Sequence, residues 1–100
     1  MEANRTENAL DRVRKERNQR DRLYRDQSRM HPFQWMSVLG EEYGKLCEAV
    51  NETYSANPRH PQRGGHENII REATQVAATA VHIIECIQRE EELRTRQVFL

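Results

Sequence analysis

From Ile69 to Ile87 the apolar residues Ile69, Ala73, Val76, Ala80, Ile83 and Ile87 recur every three or four positions, the period of an α-helix. The spacing predicts a helix from Glu67 to about Arg94, narrowed for tight packing by Ala77-Ala78-Thr79-Ala80. Alternation by two, the mark of a half-buried strand, is absent throughout, so the expected class is all-α.

Two further helices precede it. Asn4 stands three residues before Glu7, the spacing of a helix cap, and Leu10, Val13, Arg17, Arg20 and Tyr24 then trace a thin stripe through a very charged segment that ends near Met30. That stripe is too narrow to bury alone and must lean on a neighbour or fray. Pro32 cannot continue this helix but suits the first turn of the next, which should run to Tyr54 with Leu39, Tyr43, Leu46, Val50 and Tyr54 on one stripe and Phe33, Trp35 and Met36 adding bulk. Gly40 and Gly44 each cost that helix roughly 1 kcal/mol against alanine, which close approach of another backbone would offset. Prolines and a glycine pair make residues 55–66 a loop. The chain thus divides into a charged helix over 1–30, a helical core over 31–95 and a short tail, 96–100.

Only 36% of the 100 residues are apolar, too few for a large private core. The expected architecture is therefore a bundle of about three helices per chain, completed in a homo-oligomer, a dimer or a tetramer. Sixteen basic and sixteen acidic residues cancel, which argues against a general nucleic-acid or membrane binder. Residues 1–40 nonetheless hold a surplus of three positive charges, and 41–100 a matching negative surplus. Cys47 and Cys86 lack metal spacing and sit among apolar neighbours as structural thiols. The most apolar stretch, Val76 to Ile87, is cut by Thr79, His82 and Glu85, so neither a membrane span nor a signal peptide is expected and the protein reads as cytoplasmic.

Two polar lines carry the candidate chemistry. Glu41, Lys45 and Glu48 share one face of the second helix, flanked by Glu42. On the third helix Glu72, Gln75, Thr79 and His82 follow one another along an otherwise apolar rod, and either face solvent or line a polar cleft between helices. His60, His66 and His82 have no tight metal spacing.

The segment Leu39-Gly40-Glu41-Glu42-Tyr43-Gly44-Lys45-Leu46-Cys47-Glu48-Ala49-Val50 resembles the first metal-binding helix of the MazG-like all-α nucleotide pyrophosphohydrolases, whose pattern is Glu-Glu-x-x-Glu. Glu72-Ala73-Thr74-Gln75-Val76 sits where that family has Glu-x-x-Asp, and the stretch from Glu72 through Glu85 is similar to that of phage-encoded members. The resemblance covers about residues 30 to 90. It implies Mg²⁺ held by carboxylates from two antiparallel helices, with Glu41, Glu42 and Glu72 as retained ligands and Glu48 as a substitute. Lys45 and Gln75 replace two of the expected carboxylates, so Mg²⁺ would be held weakly or not at all, while an inward Lys45 would attract a phosphate directly.

Arg59 and Arg63 in the loop offer forked donors for phosphate, the Gly64-Gly65 amides could add to them at the helix start, and Trp35 and Tyr43 could stack a base. Gln75, Thr79 and His82 complete the expected ligand-binding set. The leading expectation is a MazG-like oligomer that sequesters a phosphorylated nucleotide with hydrolysis weakened or lost, as a phage protein soaking up a signal in its host's cytoplasm would. The rivals are a Mg²⁺-dependent pyrophosphohydrolase using Glu41, Glu42, Glu48 and Glu72, and a helical module whose basic first helix, through Arg17 and Arg20, contacts a protein or nucleic acid.

Overall fold

The computed structural model describes residues 4–24 and 30–99. Three helices follow in order, α1 (Arg5–Tyr24), α2 (Pro32–Tyr54) and α3 (His66–Phe99), with a single 3-10 turn at Pro61–Arg63 and no strand among the described residues. The all-α class stands. The expected continuation of α1 through 25–29 and the residue Leu100 lie outside the described residues, while α3 runs past its expected end at Arg94 to Phe99, so 96–99 continue the helix and do not form a separate tail.

Local chemistry sets the helix ends. The Asn4 side chain accepts from Glu7 N at 3.1 Å, the cap read from the sequence. At α2 the cap is His31: its Nδ1 accepts from Phe33 N at 3.1 Å while Gln34 Oε1 accepts from His31 N at 2.7 Å, with Pro32 opening the helix. A histidine in that role carried no sequence signal beyond the proline beside it.

The turn between α2 and α3 depends on two glycines. A Cβ on Gly64 would sit 2.9 Å from the Glu52 carbonyl carbon and 3.0 Å from Thr53 N, so the loop backbone lies directly on that of α2. Gly65 has φ +100, a conformation that side-chain-bearing residues avoid. Thr53 Oγ1 accepts from Gly65 N at 2.7 Å, and Asn68 donates to Gly64 O at 2.7 Å, which pins the turn. Gly40 and Gly44, by contrast, have nothing within 4 Å of a built Cβ; the backbone approach expected there is not made within the chain.

α2 and α3 pack antiparallel, Trp35 meeting His82 at one end and Thr53 meeting Gly65 at the other. α1 lies against α3 and barely meets α2. The long α3 is therefore shared by both contacts. A radius of gyration of 16.9 Å, against about 13 Å for a compact 100-residue domain, and a least extent of 21 Å describe a flat molecule about two helices thick.

The core is correspondingly small. Trp35, Ala49, Ala78 and Cys86 are its buried apolar residues, with Arg20, Thr79 and His82 buried among them. This corrects the stripe expected for α2. The line facing α3 passes through Trp35, Glu42, Leu46, Ala49 and Thr53, while Tyr43, Val50 and Tyr54 are 60%, 37% and 70% exposed. Phe33 and Met36 also point out, as do Ala73 and Ile87 on α3. Apolar residues cover more than one face of each helix, and packing selected the line carrying Trp35 and the small Ala49. No described helix is long and apolar enough to cross a membrane.

Candidate functional site

The two polar lines of the sequence end in different places. The first frames an open recess of about 270 Å³ lined by Lys45 and Glu48 of α2, Gln62 and Arg63 of the loop, and Asn68, Arg71 and Glu72 of α3. Antiparallel packing brings position 45 level with position 72, and the pinned turn carries Arg63 over them. Arg63 reaches Glu48 Oε2 at 3.2 Å, Arg71 lies 4.0 Å from Glu72, and Arg71 donates to Asn68 Oδ1 at 2.6 Å. Lys45 has no ion pair among the described residues, so its ammonium is left for an incoming group. Three cations surround two carboxylates, both engaged, and the recess carries a surplus positive charge.

The remaining expected residues divide around it. Glu41 is exposed, Glu42 half-buried toward α3, and neither lines the recess. Arg59 is exposed on the loop away from it. The glycine amides expected to greet an anion are already used, Gly64 N donating to Pro61 O at 3.1 Å and Gly65 N to Thr53. Asn68 and Arg71 were not singled out from the sequence, although each lies within four residues of Glu72 and so near the level of Lys45.

The second polar line divides: Glu72 lines the recess, α1 covers Gln75 and Thr79, and Trp35 of α2 lies on His82. Arg20, only 7% exposed, donates to Thr79 Oγ1 at 2.7 Å, to Gln75 O at 3.2 Å and to the Gln75 side-chain oxygen. Gln75 Nε2 donates to Glu16 at 2.7 Å, and Glu16 in turn lies 3.6 Å from Arg20. Arg17 grips Glu85 with two bonds of 2.7 and 2.9 Å and also pairs with Asp21. Its hydrogen bonds to Glu85 raise the pKa of Arg17 further, against the opposing effect of burial. Arg17 and Arg20, expected as contacts to a partner, are thus engaged with α3 in the same chain.

His82 lies at the meeting of all three helices, its ring stacked on Trp35 at 4.9 Å and 12°. Trp35 is 2% exposed with that face taken, and Tyr43 points to solvent on another side of α2. Burial holds the His82 pKa below its usual value, with Arg17 and Arg20 adding to the effect and Asp21 and Glu85 opposing it. Trp35 Nε1 and His82 Nε2 are both buried without a hydrogen-bond partner among the described residues.

Mg²⁺ finds a poor donor set here. Hard cations take several oxygens at once, yet the recess offers Glu48 and Glu72 among three positive groups, and Arg63 already occupies Glu48. Among the described residues no group of three or more His, Cys, Asp or Glu side chains is placed to hold a metal. Compared with known proteins, the chain matches no family model, no curated protein and no solved structure.

Proposed function

We propose that this protein is a MazG-like nucleotide binder that holds a phosphorylated nucleotide by its phosphates, without turning it over, in the recess of Lys45, Arg63 and Arg71. The observation that carries the reading is the unpaired Lys45 ammonium beside two arginines on a rigid frame of two helices and a pinned turn. Arginine forks and a lysine point charge are the usual partners of phosphate oxygens. A hollow of about 270 Å³ lies just below the size of a typical small-molecule pocket, enough for a phosphate chain with sugar and base extending past the rim. Glu48 and Glu72 then orient the basic groups instead of holding a cation, and no step is routed through a metal. Capture of a nucleotide signal in a host cytoplasm is the role that the likeness to phage-encoded members suggests.

Calorimetry with nucleoside mono-, di- and triphosphates in EDTA tests it. Binding should persist under chelation, and Lys45→Glu and Arg63→Glu should each weaken it at least about tenfold, the loss of one charge-assisted hydrogen bond. Heat-denatured protein should release the nucleotide unaltered. Failure to bind any of them would overturn the proposal. So would Mg²⁺-dependent release of pyrophosphate that disappears in Glu42→Ala and Glu72→Ala, which would establish the pyrophosphohydrolase instead.

A further inference from the structure

The oxygens of the recess are already spoken for. Arg63 holds Glu48 Oε2 at 3.2 Å, Arg71 stands 4.0 Å from Glu72, and Arg71 also donates to Asn68 Oδ1 at 2.6 Å. Of the lining side chains that could offer oxygen to a metal, Gln62 alone has no arginine against it among the described residues. Lys45 brings a third positive charge, one helical turn before Glu48 and on the same side of α2.

This arrangement bears on the ionic form of a phosphate ligand. Mg²⁺ binds a polyphosphate through the same outer oxygens that lysine and arginine take, and in doing so it cancels two of the ligand's negative charges. An ion carried in this way is ordinarily held by one or two protein carboxylates as well. Here Arg63 would have to leave Glu48, or Arg71 move off Glu72, before either could serve. Until then the divalent ion sits among three like charges, which repel it, while the complexed phosphates attract those charges less strongly than bare ones do. A bare polyphosphate meets no such opposition, and Lys45 supplies the positive charge that a metal would otherwise bring.

We infer that Mg²⁺ is an antagonist of this recess, with Lys45 standing in for the metal so that the form taken up is the uncomplexed polyphosphate. Given the phosphate capture proposed above, on which this rests, free Mg²⁺ then sets how much ligand the protein holds. Enzymes that act on polyphosphates generally use the Mg²⁺ complex, so the protein competes with them by drawing on the other form of the same pool.

Calorimetry at matched ionic strength, with adenosine triphosphate in EDTA and then in excess MgCl₂, provides the test, and adenosine monophosphate, a weak Mg²⁺ ligand, is the control. Mg²⁺ should raise the dissociation constant of the triphosphate at least about tenfold and leave that of the monophosphate unchanged. Lys45→Gln should weaken triphosphate binding in EDTA and shrink the effect of Mg²⁺ to less than about threefold. Mn²⁺ alone, followed by the paramagnetic resonance of the free ion, gives a readout without nucleotide. The wild type should show no uptake that Glu48→Gln abolishes, whereas Lys45→Glu, which adds a carboxylate beside Glu48 and Glu72, should gain such uptake. Triphosphate binding that is unchanged or tighter in Mg²⁺ overturns the inference and leaves phosphate capture standing. So does an equal loss for the monophosphate, Glu48-dependent Mn²⁺ uptake by the wild type, or a Lys45→Glu protein that still ignores Mn²⁺. Absence of binding by both nucleotides in EDTA overturns the capture and the antagonism together.

Discussion

The contacts on the two sides of α3 are built from opposite materials. Against α2 it packs Trp35, Ala49 and Cys86, with the indole lying flat on His82. Against α1 it presents glutamine, threonine and glutamate, and α1 replies with two arginines and a glutamate. The first joint draws on removal of apolar surface from water, which works at any angle and is not weakened by ionic screening. The second rests on hydrogen bonds of fixed direction, those of a buried Arg20 to Thr79 and Gln75 and those of a partly exposed Arg17 to Glu85, so it depends on matched donors and acceptors. A single helix thus shows that a polar line can be buried as completely as an apolar one when the neighbour supplies the matching donors.

If the apolar joint is the stronger, Trp35→Ala should produce the largest loss, about 3–5 kcal/mol in chemical denaturation, the range for emptying a buried aromatic site. A smaller loss than that from Arg20→Ala would reverse the ranking. Arg20→Ala should cost about 2 kcal/mol, because Thr79 keeps its 2.9 Å bond to Gln75 O and Glu16 retains some access to water. Hydrogen exchange should then accelerate across α1 while the middle of α3 stays protected, and 1 M salt should do the same to the wild type more weakly. The smallest effect belongs to His82, which both joints touch. Burial lowers its folded pKa, so at pH below about 6.5 the unfolded chain takes up a proton that the folded chain refuses. Stability contributed by the neutral ring is complete above that pH and declines as pH falls toward the folded value, by at most about 1.4 kcal/mol per unit. His82→Phe, which keeps a ring over Trp35, should remove that slope in thermal melts between pH 5 and 8.

Helix starts were legible because the residues that set them act locally, Asn4 with Glu7, Pro32, and the proline and glycine cluster before His66; the end of α3, expected at Arg94 and reached at Phe99, has no such breaker to mark it. Facing direction was not. α2 and α3 carry apolar residues around more than half their circumference, so several stripes satisfy the same period and only the packed partner selects among them. That is why Tyr43 and Tyr54, natural core choices on spacing, lie in solvent while Ala49 is buried. The site was legible where neighbours in space are neighbours in helical register, as for Lys45, Glu48 and Glu72. It was hidden where a distant segment intervenes: nothing near Gln75 or Thr79 announces that an arginine more than fifty residues earlier will occupy them.

Among the described residues α1 and α2 scarcely meet, and each leans on the same rod. The α2–α3 pair is in that respect a self-sufficient chassis and α1 an attachment with its own couplings. No residue of α1 lines the recess of Lys45, so a change confined to the attachment leaves that recess with all of its lining.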